Sequence, residues 1–398
     1  MVRRSMGYVF RPSTVEGIQR VLAEAERAGK PVVPRGSGYS YGDASILNEG
    51  IVLDLTRMRR VLEWDPSGGR IRLEPGVTVR QLWQTVLEDG WWPPVVPGAM
   101  YPTLGGCVST NVHGKNNWRL GTIGDHIEAL ELMLPSGEIS FIDRESGPDL
   151  LRAVIGGAGM LGVVTSLTLQ LQPVPSGLLE IEQSAAPNLD AMFDAFEQRL
   201  DRADYLVGWI DAFARGSSLG RGLVQSAAYV QDDIHPLQKL RASYQDLPDT
   251  ILGMVPRSQL WRGMRPLVND TGMSAINRAR YGMGSLRSGR TLRQPHAQFH
   301  FFHDFVPNWK RSFWPGGIVE YQIFLPADTA RSAFGDMLER SQAAGLYPYL
   351  AVFKRHRSDS FLLSYGVDGY SLSLDYHLTD ANEQRLRSFL ERSTRDVV

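Results

Sequence analysis

The chain has 398 residues, and at about 150 residues per domain this predicts two or three domains, with two as the working expectation. Lys plus Arg number 42 against 43 Asp plus Glu, a net charge of -1, so there is no basic footprint for nucleic acid, and the 43% hydrophobic fraction is that of a globular protein. A single cysteine, Cys107, excludes both a disulfide framework and a thiolate metal cluster.

The first residues include Arg3 and Arg4 but no apolar run, so no secretory signal is expected. The longest weakly polar stretch, 154–164, is about half the ~20 residues a membrane-spanning helix needs, so no transmembrane segment is expected either. A helix is predicted over 15–29, where Val15, Ile18, Val21 and Leu22 repeat at helical spacing, followed by a short strand over 31–34. That strand runs into Arg35-Gly36-Ser37-Gly38-Tyr39-Ser40-Tyr41-Gly42. Glycines at alternate positions let successive backbone N–H groups point inward, which makes this a candidate pyrophosphate cradle that needs no lysine. Strands over 51–55, 61–64 and 70–74 and a helix over 79–87 complete an α+β opening segment.

The most informative segment is Pro97-Gly98 followed by residues 101–116, which contains Thr103, Gly105, Gly106, Ser109, Thr110, Val112, His113, Gly114 and Lys115. Small and hydroxylated residues alternate with glycine, so the backbone can approach a flat ligand, and His113 and Lys115 can face its reactive edge. A strand over 127–134 then enters a turn at Pro135-Ser136-Gly137. The run 156–162 contains G-x-G-x-x-G, but a helix is predicted before it and a strand after it, the reverse of the order a Rossmann dinucleotide site requires.

From residue 178 a new region begins, with strands predicted over 178–183, 205–212, 223–230, 298–305, 318–325 and 349–354, consistent with a second, antiparallel sheet. Residues 243–293 have no clean period and read as a mobile loop or a cover over a site. His296, His300 and His303 are metal-like in spacing, but the predicted strand puts 300 and 303 on opposite faces, so no metal site is expected. Lys354-Arg355-His356-Arg357 reads as a solvated strand end, and a final helix follows Thr379-Asp380-Ala381-Asn382-Glu383.

The 35–41 cradle, the 103–116 segment and the 156–162 turn together resemble the flavin-binding domain of the vanillyl-alcohol-oxidase-like (PCMH-type) family. Residues 35–43, 112–116, Glu320-Tyr321-Gln322 and Val352-Phe353-Lys354 are most similar to the branch of that family that oxidises decaprenylphosphoryl-ribose, and the likeness covers nearly the whole chain. The resemblance implies an α+β fold: a two-part FAD-binding domain at 1–177, a substrate domain with an antiparallel sheet and flanking helices at 178–378, and the start of a C-terminal return at 379–398. It implies FAD contacted by Arg35, Gly36, Ser37, Gly38, Tyr39, Ser40, Tyr41, Ala44, Pro97, Gly98, Thr103, Gly105, Gly106, Ser109, Thr110, Val112, His113, Gly114, Gly159 and Val164. His113, Lys115, Gln322 and Lys354 take the catalytic positions, and Tyr41, Trp209, Phe313, Ser371 and Ser373 the substrate pocket. Lys115 and Lys354 would hold sugar oxygens or a phosphate, Gln322 would hydrogen-bond near the flavin ring, and Trp209 and Phe313 would wall the pocket.

The implied reaction is two-electron oxidation of a secondary sugar hydroxyl, on a free or polyprenyl-phosphate-linked pentose. A soluble alditol or aldonolactone oxidase, or a flavin-binding scaffold without turnover, are the other readings. A reductase acting on the keto product is the partner this implies, and the expected place is the cytoplasm, at a membrane surface if the substrate is lipid-linked. Relatives with covalent flavin carry a histidine at the position of Tyr39, so non-covalent FAD is expected. Ser373 stands where the family branch has a pocket cysteine, so a thiol-directed inhibitor should not act here. The family's C-terminal return supplies a further lysine, and since this chain stops at Val398 a truncated form is expected.

Overall fold

A computed structural model describes residues 5–40, 44–231, 236–251 and 253–397. The fold is α+β, built on three sheets of three or more strands, with two further two-stranded pairs among the described residues. The first is a parallel sheet of β1 (Tyr8–Phe10), β2 (Val32–Arg35) and β3 (Ile51–Asp54), with β3 in the middle. Helix α1 (Val15–Arg27) begins where the Thr14 side chain accepts from Gly17 N–H, and it buries Ile18, Val21 and Ala25 against Ile51 and Leu53.

The second sheet is antiparallel, in the order β4 (Val61–Asp65), β5 (Arg70–Leu73), β8 (Val163–Gln170), β6 (Ile127–Met133), β7 (Ile139–Asp143). Its core includes Ile71, Leu130 and Leu167, and it packs with α2 (Val79–Val86), α3 (Leu104–Ser109) and α4 (Pro148–Val154). The G-x-G-x-x-G run lies between α4 and β8, so helix precedes glycine and strand follows.

The third sheet has seven antiparallel strands: β12 (Arg290–Pro295), β9 (Leu178–Ala186), β11 (Gly222–Tyr229), β10 (Tyr205–Ile210), β14 (Pro348–His356), β15 (Gly369–Leu378) and β13 (Gly317–Pro326). Strand residues alternate between faces. Leu206, Ile210, Val224, Ile323, Phe353, Leu372 and Leu374 point one way, into a core closed by α5 (Leu189–Glu197), α8 (Ala327–Ala343) and α9 (Glu383–Val397). The residues between them face the functional site.

Two expectations fail here. Residues 298–305 are not a strand: α7 (His296–His300) and a 3-10 turn (Phe302–Asp304) occupy them. His296, Ala297, Phe299 and His300 are buried and only Gln298 is exposed, so this short helix has too little polar face to mark its period. Nor are residues 243–293 irregular throughout. They contain the 16-residue helix α6 (Asp270–Ser285), capped by Asn269 Oδ1 accepting from Gly272 N–H at 3.0 Å, and most of β12.

Candidate functional site

A cavity of about 1820 Å³ lies between the polar face of the seven-stranded sheet and the loops of the first 115 residues. The two glycine segments meet at its edge. Gly36 abuts Thr103, where an added Cβ would stand 2.0 Å from Oγ1, and Ser37 Oγ donates to the Tyr101 carbonyl at 2.8 Å. Gly38 takes φ +69°, and its missing Cβ would meet the Arg35 guanidinium at 2.2 Å. Arg35 Nη1 in turn donates to Ser45 Oγ at 2.9 Å, tying the loop back on itself. Gly98 leaves room for the His303 ring, which a Cβ would approach to 2.6 Å. Tyr39 stacks on Tyr101 with ring centroids 6.2 Å apart, and burial pushes its phenol up to about 12.

Of the residues expected to hold cofactor or substrate, Tyr39, Ser40, Pro97, Gly98, Thr110, Val112, His113, Gly114, Lys115, Trp209, Gln322, Lys354 and Ser373 line this cavity. Arg35, Gly36, Ser37, Gly38, Thr103, Gly105, Gly106 and Ser109 are not on its wall, and Ser109 Oγ donates to the Gly105 carbonyl at 2.8 Å. Gly159, with φ +75°, packs on Pro34, Ala44 is exposed, and Val164 is buried in β8 opposite Leu132. Tyr41 falls outside the described residues.

Three expected placements need correction. Phe313 is buried with Val268 and Tyr349, and is not on the cavity wall. Ser371 is fully buried behind Gln322, because Gln322 Nε2 donates to its Oγ at 3.0 Å and His356 Nε2 lies 2.7 Å from the same oxygen. The 354–357 run is not a solvated end: Lys354 lines the cavity and His356 is buried. His300, with His296, lies on a helix, and both rings pack against Trp92, with centroids 5.7 and 4.9 Å away.

The reactive corner is set by strand register. Gln322 of β13 pairs with Ser373 of β15, which pairs with Val352 of β14, and Glu320 pairs with Asp375, so one face presents Glu320, Gln322, Ser373, Asp375 and Lys354 together. Ser373 Oγ donates to Glu320 Oε1 at 2.6 Å. Burial, with Glu320 beside it, holds the Asp375 carboxyl well above the ordinary range, and its Oδ1 has no partner among the described residues. His113 Nε2 stands 3.4 Å from Gln322 Nε2, and burial, helped by the Lys354 charge, drops the imidazole to about 3. Lys115 donates to the Phe299 carbonyl with its ammonium 4.1 Å from that ring, and burial lowers it to about 7. Burial likewise lowers Lys354 to about 8. Glu320, Asp375, His303 and Arg280 also line the cavity but were missed as site residues. The i, i+2 spacing of Glu320 with Gln322 and of Ser373 with Asp375 was the signal available for the two acids.

Residues 6–142 match a family described as FAD binding domain. Decaprenylphosphoryl-beta-D-ribose oxidase of Mycolicibacterium smegmatis is 27% identical over 370 residues, 90% of this chain and 77% of that protein. The chain carries an FAD-binding domain and is similar to FAD-linked oxidoreductases. A D-lactate dehydrogenase of Anaerostipes hadrus is 32% identical over 175 residues, covering 42% of this chain and 37% of that one. A D-2-hydroxyglutarate–pyruvate transhydrogenase of Saccharomyces cerevisiae is 26% identical, covering 86% and 67%.

The residues present fit FAD. Side chains at Gly36, Gly38 and Gly98 would fill the cradle and the cavity rim, and the uncharged Thr110, Val112 and Gly114 leave the wall open to a flat ring beside His113 and Lys115.

Proposed function

We propose that this chain is an FAD-linked oxidoreductase that oxidises a secondary hydroxyl of a sugar, specifically a pentose joined to a polyprenyl phosphate. The observation that carries this reading is the cluster of Gln322, Lys354, Ser373 and Glu320 on one sheet face opposite His113 and Lys115, in a chain similar over 90% of its length to a decaprenylphosphoryl-ribose oxidase. In this reading, residues 1–177 form the flavin part, 178–378 the substrate part, and the chain turns back towards the flavin from 379.

Residues 36–40, 97–98, 103–106 and 109–114 would hold FAD, which when bound supplies a two-electron acceptor for the carbinol hydride. Tyr39 offers no imidazole for attachment, so denaturing the protein with acid should leave the flavin in the supernatant; colour in the pellet would refute this. Lys115, already fixed on Phe299, orients the sugar ring. Lys354 has no hydrogen-bond partner among the described residues, and its lowered pKa leaves part of it neutral near pH 8, able to take the hydroxyl proton as hydride leaves the carbon. Neutral His113 and the Gln322 amide direct hydrogen bonds to the reacting oxygen, and the product is a ketone for a reductase to consume.

No helix among the described residues is long and apolar enough to cross a membrane. Exposed Met283 and Leu286 lie close in sequence to exposed Arg278 and Arg287 at the C-terminal end of α6, and Met283 and Arg287 also line the cavity. This mixed surface supports delivery of a lipid-linked substrate from an anionic bilayer. The test is anaerobic bleaching of the bound flavin. A polyprenyl-phosphate pentose should bleach it; bleaching by a free alditol, an aldonolactone or D-lactate alone would replace the reading, and bleaching by none of them would leave a scaffold without turnover.

A further inference from the structure

The cavity has a second polar pole, away from the reactive corner. Helix α6 crosses the sheet face and is fixed at both ends: Tyr349 OH donates to Asp270 Oδ1 at 2.9 Å, and Gln183 Nε2 donates to the Gly284 carbonyl at 3.2 Å. Gly284 lies so close to the sheet that an added Cβ would be 2.4 Å from Leu223 Cδ1. Asn277 and Gly284 are buried, and Arg280, one turn from each, shares their face and points at the sheet. Its guanidinium carbon lies 4.3 Å from the Trp209 ring centroid and 5.6 Å from that of Phe302, and all three residues line the cavity.

Among the described residues Arg280 has no hydrogen-bond acceptor and no carboxylate. Two other arginines of this wall differ. Arg257 donates to the carbonyls of Phe305, Pro248 and Asp304, and Arg80 lies 3.7 Å from an Asp246 oxygen. Trp209 Nε1, a donor beside the guanidinium stack, also has no partner. Burial lowers the Arg280 pKa only to about 10, so the group remains a cation at neutral pH. A cation partly withdrawn from water without a counter-ion is destabilising, and a guanidinium lying over an indole with no acceptor of its own leaves N–H groups free for two oxygens.

We propose that Arg280, supported by Trp209, is an oxyanion anchor that binds a phosphate or carboxylate group of the substrate inside the cavity. Trp209 pairs with Val352, two residues from Lys354 along β14, or about 7 Å. The anchor therefore selects substrates whose anionic group is separated from the carbinol by several bonds. A phosphate ester of a sugar meets this condition, and a short 2-hydroxy acid, with its carboxylate next to the carbinol, does not. This inference rests on the reading that a hydroxyl is oxidised in this cavity, but its first readout needs no turnover.

The flavin-loaded protein is titrated calorimetrically with inorganic phosphate and, separately, with acetate, and compared with Arg280→Met and Arg280→Lys. Saturable binding of phosphate in the parent, weakened about tenfold or more in Arg280→Met and partly retained in Arg280→Lys, is the expected result. Acetate binding with the same dependence makes the site a carboxylate site; phosphate alone makes it a phosphate site. Equal phosphate binding in the parent and Arg280→Met, or none in the parent, overturns the anchor. Retained flavin and an unchanged melting temperature in the variants show that the fold survives, and should Arg280→Met not fold, Arg280→Lys and Arg280→Gln carry the comparison. If phosphate binds through Arg280 and no sugar bleaches the flavin, the function reading fails while the anchor stands. If a sugar bleaches the flavin while phosphate binding is indifferent to Arg280, the anchor fails and the function reading stands.

Discussion

At the scale of single residues the cofactor cradle depends on absent atoms. Gly36 has 2.0 Å between its would-be Cβ and Thr103 Oγ1, but 3.3 Å to Thr103 Cβ, so one hydroxyl oxygen decides the fit. Gly36→Ala should therefore push the two glycine segments apart and lower flavin affinity by about tenfold, about 1.4 kcal/mol. Gly36→Ala combined with Thr103→Ala should recover most of it. Flavin fluorescence titration of the three proteins decides the matter, and equal weakening in the single and double variants would show that the contact is not the cause. Lys354 gives a pH prediction. Its pKa is lowered to about 8, so its neutral fraction grows as pH rises through that value, and the rate of flavin reduction should rise with it. Lys354→Met should remove that limb while leaving bound flavin unchanged, as stopped-flow reduction between pH 6 and 9 will show. Much of this corner is legible in the sequence because β alternation carries it: Gln322, Lys354 and Ser373 all reach the cavity. Ser371 shares the face of Ser373 but sits under Gln322, a layering that strand periodicity does not encode. Phe313 leaves the wall because it belongs to a 3-10 turn, not to a strand.

At the scale of elements, legibility follows what each face touches. Helix α1 shows its period because Ile18, Val21 and Ala25 meet a core and the other side meets water. Helix α6 does not, because its inner face carries Asn277, Arg280 and Gly284, the last two on the polar cavity wall, so the apolar stripe that marks a helix is missing. With few apolar contacts of its own, α6 leans on its cap. Asn269→Ala should remove the Oδ1 acceptor of Gly272 N–H and cost about 1 kcal/mol, concentrated in this helix. Hydrogen exchange should speed up across 270–276 more than in α8, whose Ala330, Phe334, Met337 and Leu338 are buried. Uniform change across the chain would instead mean that α6 unfolds only with everything else. Helix α7 is hidden for the opposite reason: four of its five residues are buried. Its Lys115–Phe299 contact is what makes the misread segment part of the site.

At the scale of the whole molecule, the site brings many titratable groups out of water, and the balance of their signs sets an acid limit on stability. Burial holds His113, His296, His300, His303 and His356 below the ordinary 6.5, with His113 pushed to about 3 and His296 and His303 to about 4. As pH falls below 6.5 the unfolded chain binds protons on these rings that the folded chain refuses, so stability drops. Each such ring removes about 1.4 kcal/mol per pH unit. Asp304, raised to about 6, and Asp375, raised further from its ordinary value, act in the other direction: their contribution is present at low pH and lost as pH rises through the folded pKa. The lowered imidazoles outnumber these two carboxyls, so the net effect is a loss of stability as pH falls below about 6. Lys115 and Lys354 do not alter this window, because both are protonated in the folded and unfolded chain below pH 6. The melting temperature should therefore fall gently from pH 8 to 7, where Lys115 and Lys354 resist protonation in the fold, and steeply from pH 6 to 5. His300→Gln and His356→Gln, each replacing a neutral buried ring with an amide that does not titrate, should flatten that fall even if they lower the melting temperature at pH 7.5. A melting temperature that does not change between pH 7 and 5 would mean that these rings accept protons inside the fold, and that the polar cavity relieves their burial.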